Sequence, residues 1–335
     1  MNKQVLFKSR PEGLPTEATF EFIETPEARP RDGEISRRTI YLSVDPAMRG
    51  RMNRGKSYVA PMEPGQLMVG STVSQVIESK HPDYKAGDFI FGSDGWQTHA
   101  VGDTKGLRKL DPKQAPISYS LGVLGLPGLT AYVALLDIGK PKPGETVVIS
   151  AAAGAVGSIA GQIARIKGCH AVGIAGSDEK CDFVTRELRL DACVNYRKQD
   201  LVAALKAACP NGVDVYFDNV GGPVLEAVLK IINRSARIPL VGLISQYNEA
   251  KLPPGPNLGS ILVNRAMIQG MIVFDHFHRM PDFLRDVSQW LRSGEIKAPE
   301  DIIEGLDNAP SALIGLFRGE NVGKRIVQIS EDPTR

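Results

Sequence analysis

The sequence predicts an α/β protein in which a doubly wound parallel sheet is joined to a second, mostly β domain. Between residues 140 and 295, short apolar strands alternate with helical segments, which is typical of an open parallel sheet. Before residue 125, short strands are separated by Gly, Pro and Asp, and no long amphipathic helix is evident. The chain has 335 residues, a length that suggests about two domains.

The segment 146–161, TVVISAAAGAVGSIAG, predicts a strand, a small-residue turn and a helix from residue 158 to about 167. Its small residues follow the pattern G-x-G-x-x-G with Ala152 in the first place. Gly154 allows a pyrophosphate to approach the backbone, and Gly157 allows the helix to pack closely on the strand. The turn Gly154-Ala155-Val156-Gly157 therefore predicts the phosphate site of a Rossmann dinucleotide-binding unit, although such a turn also occurs without a ligand.

The other elements follow from apolar runs and their flanking residues. Further strands of the parallel sheet are predicted at residues 171–175, 192–195, 213–218, 238–243 and 268–273, with helices such as 179–188 and 201–208. In the first domain we predict strands at 36–43, 67–79 and 88–91. A helical segment at 123–138 leads into the second domain, and the chain ends with a helix at 308–318 and a strand at 324–330.

Composition and charge exclude several classes of function. The formal net charge of +2 does not indicate a nucleic-acid or acidic-membrane partner. No apolar run approaches the roughly 20 residues of a membrane helix, and the first residues lack an apolar signal core, so we expect a cytoplasmic protein. The four cysteines fit neither a zinc site nor a C-x-x-C pair, and His276 and His278 lack an obvious completing cluster. We therefore predict reduced thiols and no metal.

The end of the second predicted strand indicates which dinucleotide binds. NAD-binding proteins usually place an acidic residue there for the ribose hydroxyl, whereas this chain has Gly176-Ser177, followed by Lys180. A small tip, a hydroxyl and a positive charge favour the 2′-phosphate of NADPH/NADP⁺. Asp178 and Glu179 could take the NAD role, but they also fit as first-turn acids of a helix.

Seven blocks of the chain resemble the zinc-independent medium-chain dehydrogenases/reductases. The resemblance is narrower to the leukotriene B4 12-hydroxydehydrogenase/prostaglandin reductase group and its bacterial curcumin-reductase-like branch. The blocks are YLSVDPAMRGRMN (41–53), GVLGLPGLTAYVALLDIG (122–139), SAAAGAVGSIAGQIARIKGC (150–169), GIAGSDEKC (173–181), VYFDNVGG (215–222), VGLISQYN (241–248) and GENVGKRIVQI (319–329).

The resemblance implies a GroES-like domain at 1–125, completed by 296–335, and a Rossmann NADP-binding domain at 126–295. It also implies a homodimer and NADPH-dependent reduction of the C=C bond of α,β-unsaturated ketones and aldehydes. Zinc-dependent relatives hold their catalytic metal with a Cys, a His and an acid. This chain has no cysteine before Cys169, so that site cannot be built in its usual place.

By the same resemblance, Tyr247 is the first choice for a hydrogen-bond donor to the developing enolate, and Tyr58 is the second. Each has an alternative interpretation, as a packed tyrosine and as a loop aromatic, respectively. Arg49 and Arg51 either bind a substrate carboxylate or, as we favour, form structural pairs. Further cofactor contacts are expected from Thr130, Lys180, Tyr196, Asn219, Val241, Gly242, Ile244, Ser245, Tyr247, Phe274 and Asn321.

Two other functions compete with enone reduction. A quinone reductase of the same superfamily would use the same cofactor, and a non-catalytic NADPH-binding protein would bind it without turnover. The SVDPAMRGR and ISQYN blocks favour the alkene reductase. The natural substrate is not fixed by the sequence, since long enones, diarylheptanoids and small enals all remain compatible.

Overall fold

The computed structural model describes residues 1–55, 57–198, 200–251 and 253–335, and these divide into two compact units. The first unit comprises residues 1–121, 300–321 and 325–335. The second unit comprises residues 122–299 and 322–324. Both ends of the chain thus fold into the same unit.

The first unit begins with short strands that pair antiparallel and with one short helix. Its elements up to residue 121 are β1 (Asn2–Phe7), β2 (Phe20–Thr25), β3 (Ile35–Ser43), α1 (Ala47–Arg51), β4 (Thr72–Ser79), β5 (Phe89–Gly92), β6 (His99–Gly102) and β7 (Arg108–Leu110). β1 pairs with β2, with Val5 opposite Phe22. β3 pairs with both β4 and β6, which places it at the centre of the unit's larger sheet.

The second unit alternates strands and helices. Its elements are α2 (Leu126–Val133), β8 (Thr146–Ser150), α3 (Gly157–Ile166), β9 (His170–Ala175), α4 (Asp178–Asp182), β10 (Ala192–Asn195), α5 (Leu201–Ala208), β11 (Val213–Phe217), α6 (Gly222–Leu229), β12 (Ile232–Leu240), α7 (Gly259–Asn264), β13 (Met267–Gly270) and α8 (Met280–Arg292). The chain then returns to the first unit through β14 (Glu300–Glu304), α9 (Ala309–Arg318) and β15 (Lys324–Gln328).

Within the described residues, the second unit's strands form a parallel sheet in the order β10-β9-β8-β11-β12-β13. The order reverses between β8 and β11, and ligands of such sheets bind beyond the carboxyl ends of the strands at this point. All five residues of β8 are buried, as expected for a central strand covered on both faces. The predicted fold class, a parallel α/β sheet with a separate antiparallel β region, is confirmed.

The first unit's larger sheet has the order β14-β15-β3-β4-β5-β7, and its β3–β15 pairing is antiparallel. Its core contains Trp96, fully buried, which stacks on Phe20 with ring centroids 5.6 Å apart. The apolar residues Leu42 and Leu313 belong to the same buried cluster. Helix α9 thereby closes a core that begins more than 250 residues earlier in the chain.

Several predicted boundaries were wrong. The strand predicted at 67–79 begins at Thr72, and the one predicted at 238–243 is β12, Ile232–Leu240. The strand predicted at 268–273 ends at Gly270, and a 3₁₀ turn, Val273–Arg279, follows shortly after. The predicted helix 179–188 consists of α4 and a π-helical turn, Phe183–Glu187.

The amphipathic helix α8 was not predicted, although it buries Phe283, Val287 and Trp290 on one face. In the part of the chain that the structure describes, no helix combines the length and apolar character required to cross a bilayer.

Candidate active site

The predicted phosphate loop lies between the end of β8 and the start of α3. Ala151 adopts a left-handed backbone with φ of 49°, and its carbonyl accepts the Gly154 N–H at 2.9 Å. A Cβ atom on Gly157 would come within 2.3 Å of the same carbonyl oxygen. Only glycine therefore fits at Gly157, and α3 begins directly against the turn. Gly154, Ala155 and Val156 are half-buried here, at the positive end of a ten-residue helix.

The carboxyl end of β9 carries an aromatic and basic cluster. A Cβ atom on Gly176 would lie 3.2 Å from the Tyr196 ring, so the tyrosine packs over this glycine. Tyr196 is 41% exposed, and the guanidinium carbon of Arg197 lies 5.7 Å from its ring centroid. Ser177 caps α4 by accepting the Lys180 N–H at 3.3 Å. The predicted pair Lys180 and Tyr196 thus flanks the Gly176-Ser177 tip.

Asp178, the acid that could have served NAD, has other partners. It accepts a hydrogen bond from Asn195 Nδ2 at 2.7 Å and forms an ion pair with Lys198. The Lys198 contact, followed by the one with Asn195, lowers the pKa of the Asp178 carboxyl. Its charge is therefore matched within the protein, and Lys180 and Arg197 add positive charge at the tip.

Sequence reasoning missed Arg197 and Lys198. The run Tyr196-Arg197-Lys198 directly after β10 was the available signal, because parallel strands β9 and β10 end at the same edge of the sheet. A basic pair beside the second strand's tip would have been added to the candidate contacts on that ground.

Asn219 ties the ends of β8 and β11 together. Its backbone N–H donates to Ser150 Oγ at 2.9 Å, and its Nδ2 donates to the Ser150 carbonyl at 2.7 Å. The adjacent Asp218 is fully buried, and its Oδ1 accepts the N–H groups of Val220 and Gly221, each at 2.9 Å. Burial raises the pKa of the Asp218 carboxyl, an effect that these hydrogen bonds oppose.

The segment 241–247 leaves the sheet and follows the turn 218–220. The Val241 N–H donates to the Asp218 carbonyl at 2.8 Å, and the Ile244 N–H donates to that of Asn219 at 3.3 Å. Ser245 Oγ donates to the Val220 carbonyl at 2.6 Å. These bonds explain why β12 ends at Leu240: the amides that would extend it bind the neighbouring turn instead.

Tyr247 closes this group. Its hydroxyl oxygen accepts the Leu243 N–H at 3.3 Å and lies 3.3 Å from where a Cβ atom on Gly242 would be. That same position lies 3.1 Å from the Asn219 carbonyl oxygen, so Asn219, Gly242 and Tyr247 meet at the ends of β11 and β12. Burial raises the pKa of the Tyr247 phenol, which therefore keeps its proton at neutral pH.

Two other predicted contacts of the second unit lie on different elements. Thr130 is half-buried in α2. Phe274 is 43% exposed in the 3₁₀ turn Val273–Arg279, with its ring centroid 5.9 Å from that of Phe277.

The first unit holds Tyr58, which is 54% exposed and follows α1, and Asn321, which is half-buried after α9. Arg49 is buried in α1 and donates to the Gly13 carbonyl at 2.8 Å and to Asn53 Oδ1 at 2.5 Å. These contacts favour the structural interpretation of Arg49. Among the described residues, no group of three or more His, Cys, Asp or Glu is arranged to hold a metal ion.

Comparison with known proteins gives matches over both units. Residues 3–110 match a family described as the N-terminal domain of oxidoreductase, and residues 155–289 match one described as zinc-binding dehydrogenase. The chain is 46% identical to the NADPH-dependent curcumin reductase of Escherichia coli over 99% of its length and 98% of the relative's. It is 42% identical to prostaglandin reductase 1 of Bos taurus over 94% and 95% of the two chains.

A crystal structure of CurA from Vibrio vulnificus in complex with NADPH is also similar. It superposes with a TM-score of 0.95 at 45% identity, covering 98% of this chain and 100% of that one.

Proposed function

Because the chain belongs to the curcumin and prostaglandin reductase group of the medium-chain dehydrogenases/reductases, we propose that it uses NADPH to reduce the C=C bond of α,β-unsaturated ketones and aldehydes. The observation that carries this proposal is the meeting of Tyr247, Gly242 and Asn219 at the ends of β11 and β12. A phenol that keeps its proton lies there, at the edge of the sheet where dinucleotide ligands bind.

The residues of the second unit fit such a cofactor at both of its ends. The turn Gly154–Gly157 offers a close backbone approach and helix N–H groups for a pyrophosphate. Lys180, Arg197 and Tyr196 surround the Gly176 tip, where a 2′-phosphate and its adenosine would lie. Asn219 and residues 241–247 would hold the nicotinamide end. Thr130, Phe274, Tyr58 and Asn321 stay predictions from the resemblance.

When bound, NADPH would supply a hydride to the β-carbon of the enone, and negative charge would then develop on the carbonyl oxygen. In our proposal Tyr247 donates a hydrogen bond to that oxygen, which lowers the barrier because the donor is already oriented by the Leu243 N–H. A proton from water or a nearby acid then completes the reduction at the α-carbon. We propose a mechanism without zinc.

In this proposal the first unit would form the GroES-like substrate domain, and the second unit would form the cofactor domain.

We further propose a homodimer formed through the outer edge of the parallel sheet. In the described part of the chain, β13 pairs with β12 on one side and occupies the end of the strand order. Large apolar side chains are exposed beside this edge, namely Leu258, Leu262, Val263 and Met267, with Leu262 at 80% exposure. A second copy would cover them and continue the sheet.

We place the protein in the cytoplasm, where NADPH is produced and consumed.

The proposal is tested by following NADPH oxidation with a panel of enones, a quinone, and NADH in place of NADPH. We expect turnover of enones, and a kcat for Tyr247→Phe that is lower by about 10²–10³-fold. Tyr84→Phe is the matched control, because this tyrosine packs edge-on against His81 in the first unit. Turnover of quinones alone would establish the competing quinone reductase, and NADPH binding without any turnover would contradict the enzyme proposal.

A further inference from the structure

The 3₁₀ turn Val273–Arg279 starts at the edge of the parallel sheet that carries the candidate site. The Met271 N–H donates to the Leu240 carbonyl at 3.1 Å, so the chain leaves β13 beside the end of β12. Residues 241–247 leave the sheet at that same end. Phe274, a predicted cofactor contact, lies on this turn and is therefore on the side that we assign to the nicotinamide.

Arg279 fixes the far end of this turn. Its Nε and Nη2 donate to the two carboxylate oxygens of Asp137, at 2.8 and 3.1 Å. Asp137 lies in a π-helical turn, Ala134–Gly139, that directly extends α2. Such a pair of parallel hydrogen bonds fixes the orientation of both groups as well as their separation. The turn is thus held to the extension of α2 at one end and to the sheet at the other.

The same guanidinium also lies against Tyr132, in the last turn of α2. Its carbon is 5.5 Å from the centroid of the Tyr132 ring. The Tyr132 hydroxyl donates to Asp286 Oδ2 at 2.6 Å, and Asp286 lies in α8. Burial, followed by this hydrogen bond, raises the pKa of the Tyr132 phenol to about 12, so the phenol remains a donor at neutral pH. Arg279 therefore lies where α2, the turn and α8 meet.

We propose that Arg279 is a positioning residue for the nicotinamide end of NADPH. It holds the turn with Phe274 in a fixed position relative to α2, which carries Thr130. The inference rests on the proposed function, because that function makes Phe274 and Thr130 cofactor contacts. Arg279 itself touches neither cofactor nor substrate in this proposal and acts through the elements that it joins.

The turn is kinked, so its two ends decide where Phe274 lies. His276 has φ of −119° and ψ of 19°, which divides the turn into two short pieces. Arg279 Nη1 also donates to Asp282 Oδ2 at 2.5 Å, but Arg285 Nη1 donates to the other oxygen of Asp282 at 2.7 Å. Loss of Arg279 thus leaves Asp282 paired and removes the link between the turn and α2.

The two ends of the cofactor should respond differently to the loss of this link. Asp137 and Asp282 lie on other elements than the phosphate loop and the Gly176 tip, so the phosphate contacts should stay. We expect the Kd for NADPH to rise about two- to fivefold, in the range for a partly exposed ion pair. The Kd for adenosine 2′,5′-bisphosphate, which lacks the nicotinamide, should be unchanged.

The test compares Arg279→Gln and Asp137→Ala with the natural protein. NADPH is titrated by its fluorescence, and adenosine 2′,5′-bisphosphate is titrated by calorimetry. Either variant should weaken the binding of NADPH alone, and the double variant should bind no more weakly than the single ones, because both remove the same pair. Arg285→Gln is the matched control, since Arg285 pairs with Asp282 and Asp286 in its own helix.

Two results would overturn the inference. One is an unchanged Kd for NADPH in both variants. The other is an equal weakening of NADPH and adenosine 2′,5′-bisphosphate, which would show a general loosening of the second unit. The titrations need no turnover, so a natural protein that binds NADPH without reducing any enone would contradict the proposed function and leave this test decisive.

Discussion

Asp94 in the first unit and Asp218 in the second are both buried among hydrogen-bond donors, but only Asp94 has a cation beside it among the described residues. In the first unit, Asp94 faces Arg37, whose Nη2 and Nε donate to it at 2.6 and 2.9 Å, and Thr72 and Ser74 donate to its other oxygen. In the second unit, Asp218 Oδ1 accepts from Tyr216, Ser150 and two backbone amides, while no hydrogen-bond partner for Oδ2 is found among the described residues.

Because only Asp94 has a cation beside it among the described residues, the two carboxyl groups contribute to different properties of the protein. Asp94 neutralises a cation inside an antiparallel sheet, so its contribution is to the stability of the first unit. Asp218 lies where β11 ends and accepts hydrogen bonds from the backbone amides of the turn that carries Asn219. Its contribution is therefore to the shape of the candidate site. Burial without a cation raises the pKa of the Asp218 carboxyl.

The largest expected effect comes from Asp94→Ala, which removes the Arg37–Asp94 ion pair of the first unit. Arg37 would then be a buried cation without its carboxylate, and such losses cost about 3–5 kcal/mol of unfolding free energy. Urea unfolding measures the change. Asp83→Ala is the control, because the Asp83 side chain is 82% exposed and should change stability little. A loss at Asp94 as small as that of the control would contradict the ion-pair argument.

A smaller effect is expected from Gly157→Ala, which tests how tightly the phosphate loop of the second unit is packed. The new methyl group would lie 2.3 Å from the Ala151 carbonyl oxygen, a backbone atom that cannot rotate away. We expect a loss of about 1–3 kcal/mol and a higher KM for NADPH, because the phosphate loop must shift.

Gly161→Ala is its matched control in the same helix. There the methyl group would lie 2.7 Å from the end of the Leu190 side chain, which can change rotamer. Its effect should be smaller on stability and absent on the KM for NADPH. Equal effects of the two substitutions would show that the loop is not held by the close approach at Gly157.

The sequence predicted which strands form the parallel sheet of the second unit better than it predicted where some of those strands begin and end. Strands β8 and β10 and helix α5 have the predicted bounds, because each is a local apolar pattern between turn residues. The end of β12 could not be predicted in this way, because it depends on a hydrogen bond from the Val241 N–H to the Asp218 carbonyl, 23 positions away.

The same reason explains what the sequence did not reveal of the site and the first unit. The Arg37–Asp94 pair spans 57 positions, and the packing of Tyr196 over Gly176 requires the β9–β10 register. The phosphate loop, by contrast, lies on consecutive residues, so its glycine spacing was sufficient. The assignment to the reductase group was confirmed by the comparisons, while the roles of Tyr58, Asn321, Thr130 and Phe274 stay predictions.

The smallest expected effect is a pH dependence of stability that comes from Asp218. Burial raises the folded-state pKa of Asp218 above its unfolded value, so its favourable contribution is complete below the unfolded pKa. That contribution is lost as the pH rises through the folded pKa, because the ionised group is then buried without a cation. Asp218→Asn keeps an oxygen for the turn amides and never ionises. Its unfolding free energy should therefore improve relative to the natural protein as the pH increases from about 4 to about 7. Urea unfolding of both proteins across this range measures the difference, with Asp83→Asn as the exposed control. A difference that is independent of pH would mean that the Asp218 carboxyl ionises as readily in the folded chain as in the unfolded one, and a difference that moves in the opposite direction would mean that it ionises more readily when folded. Either result would contradict the argument that Asp218 is buried without a compensating cation.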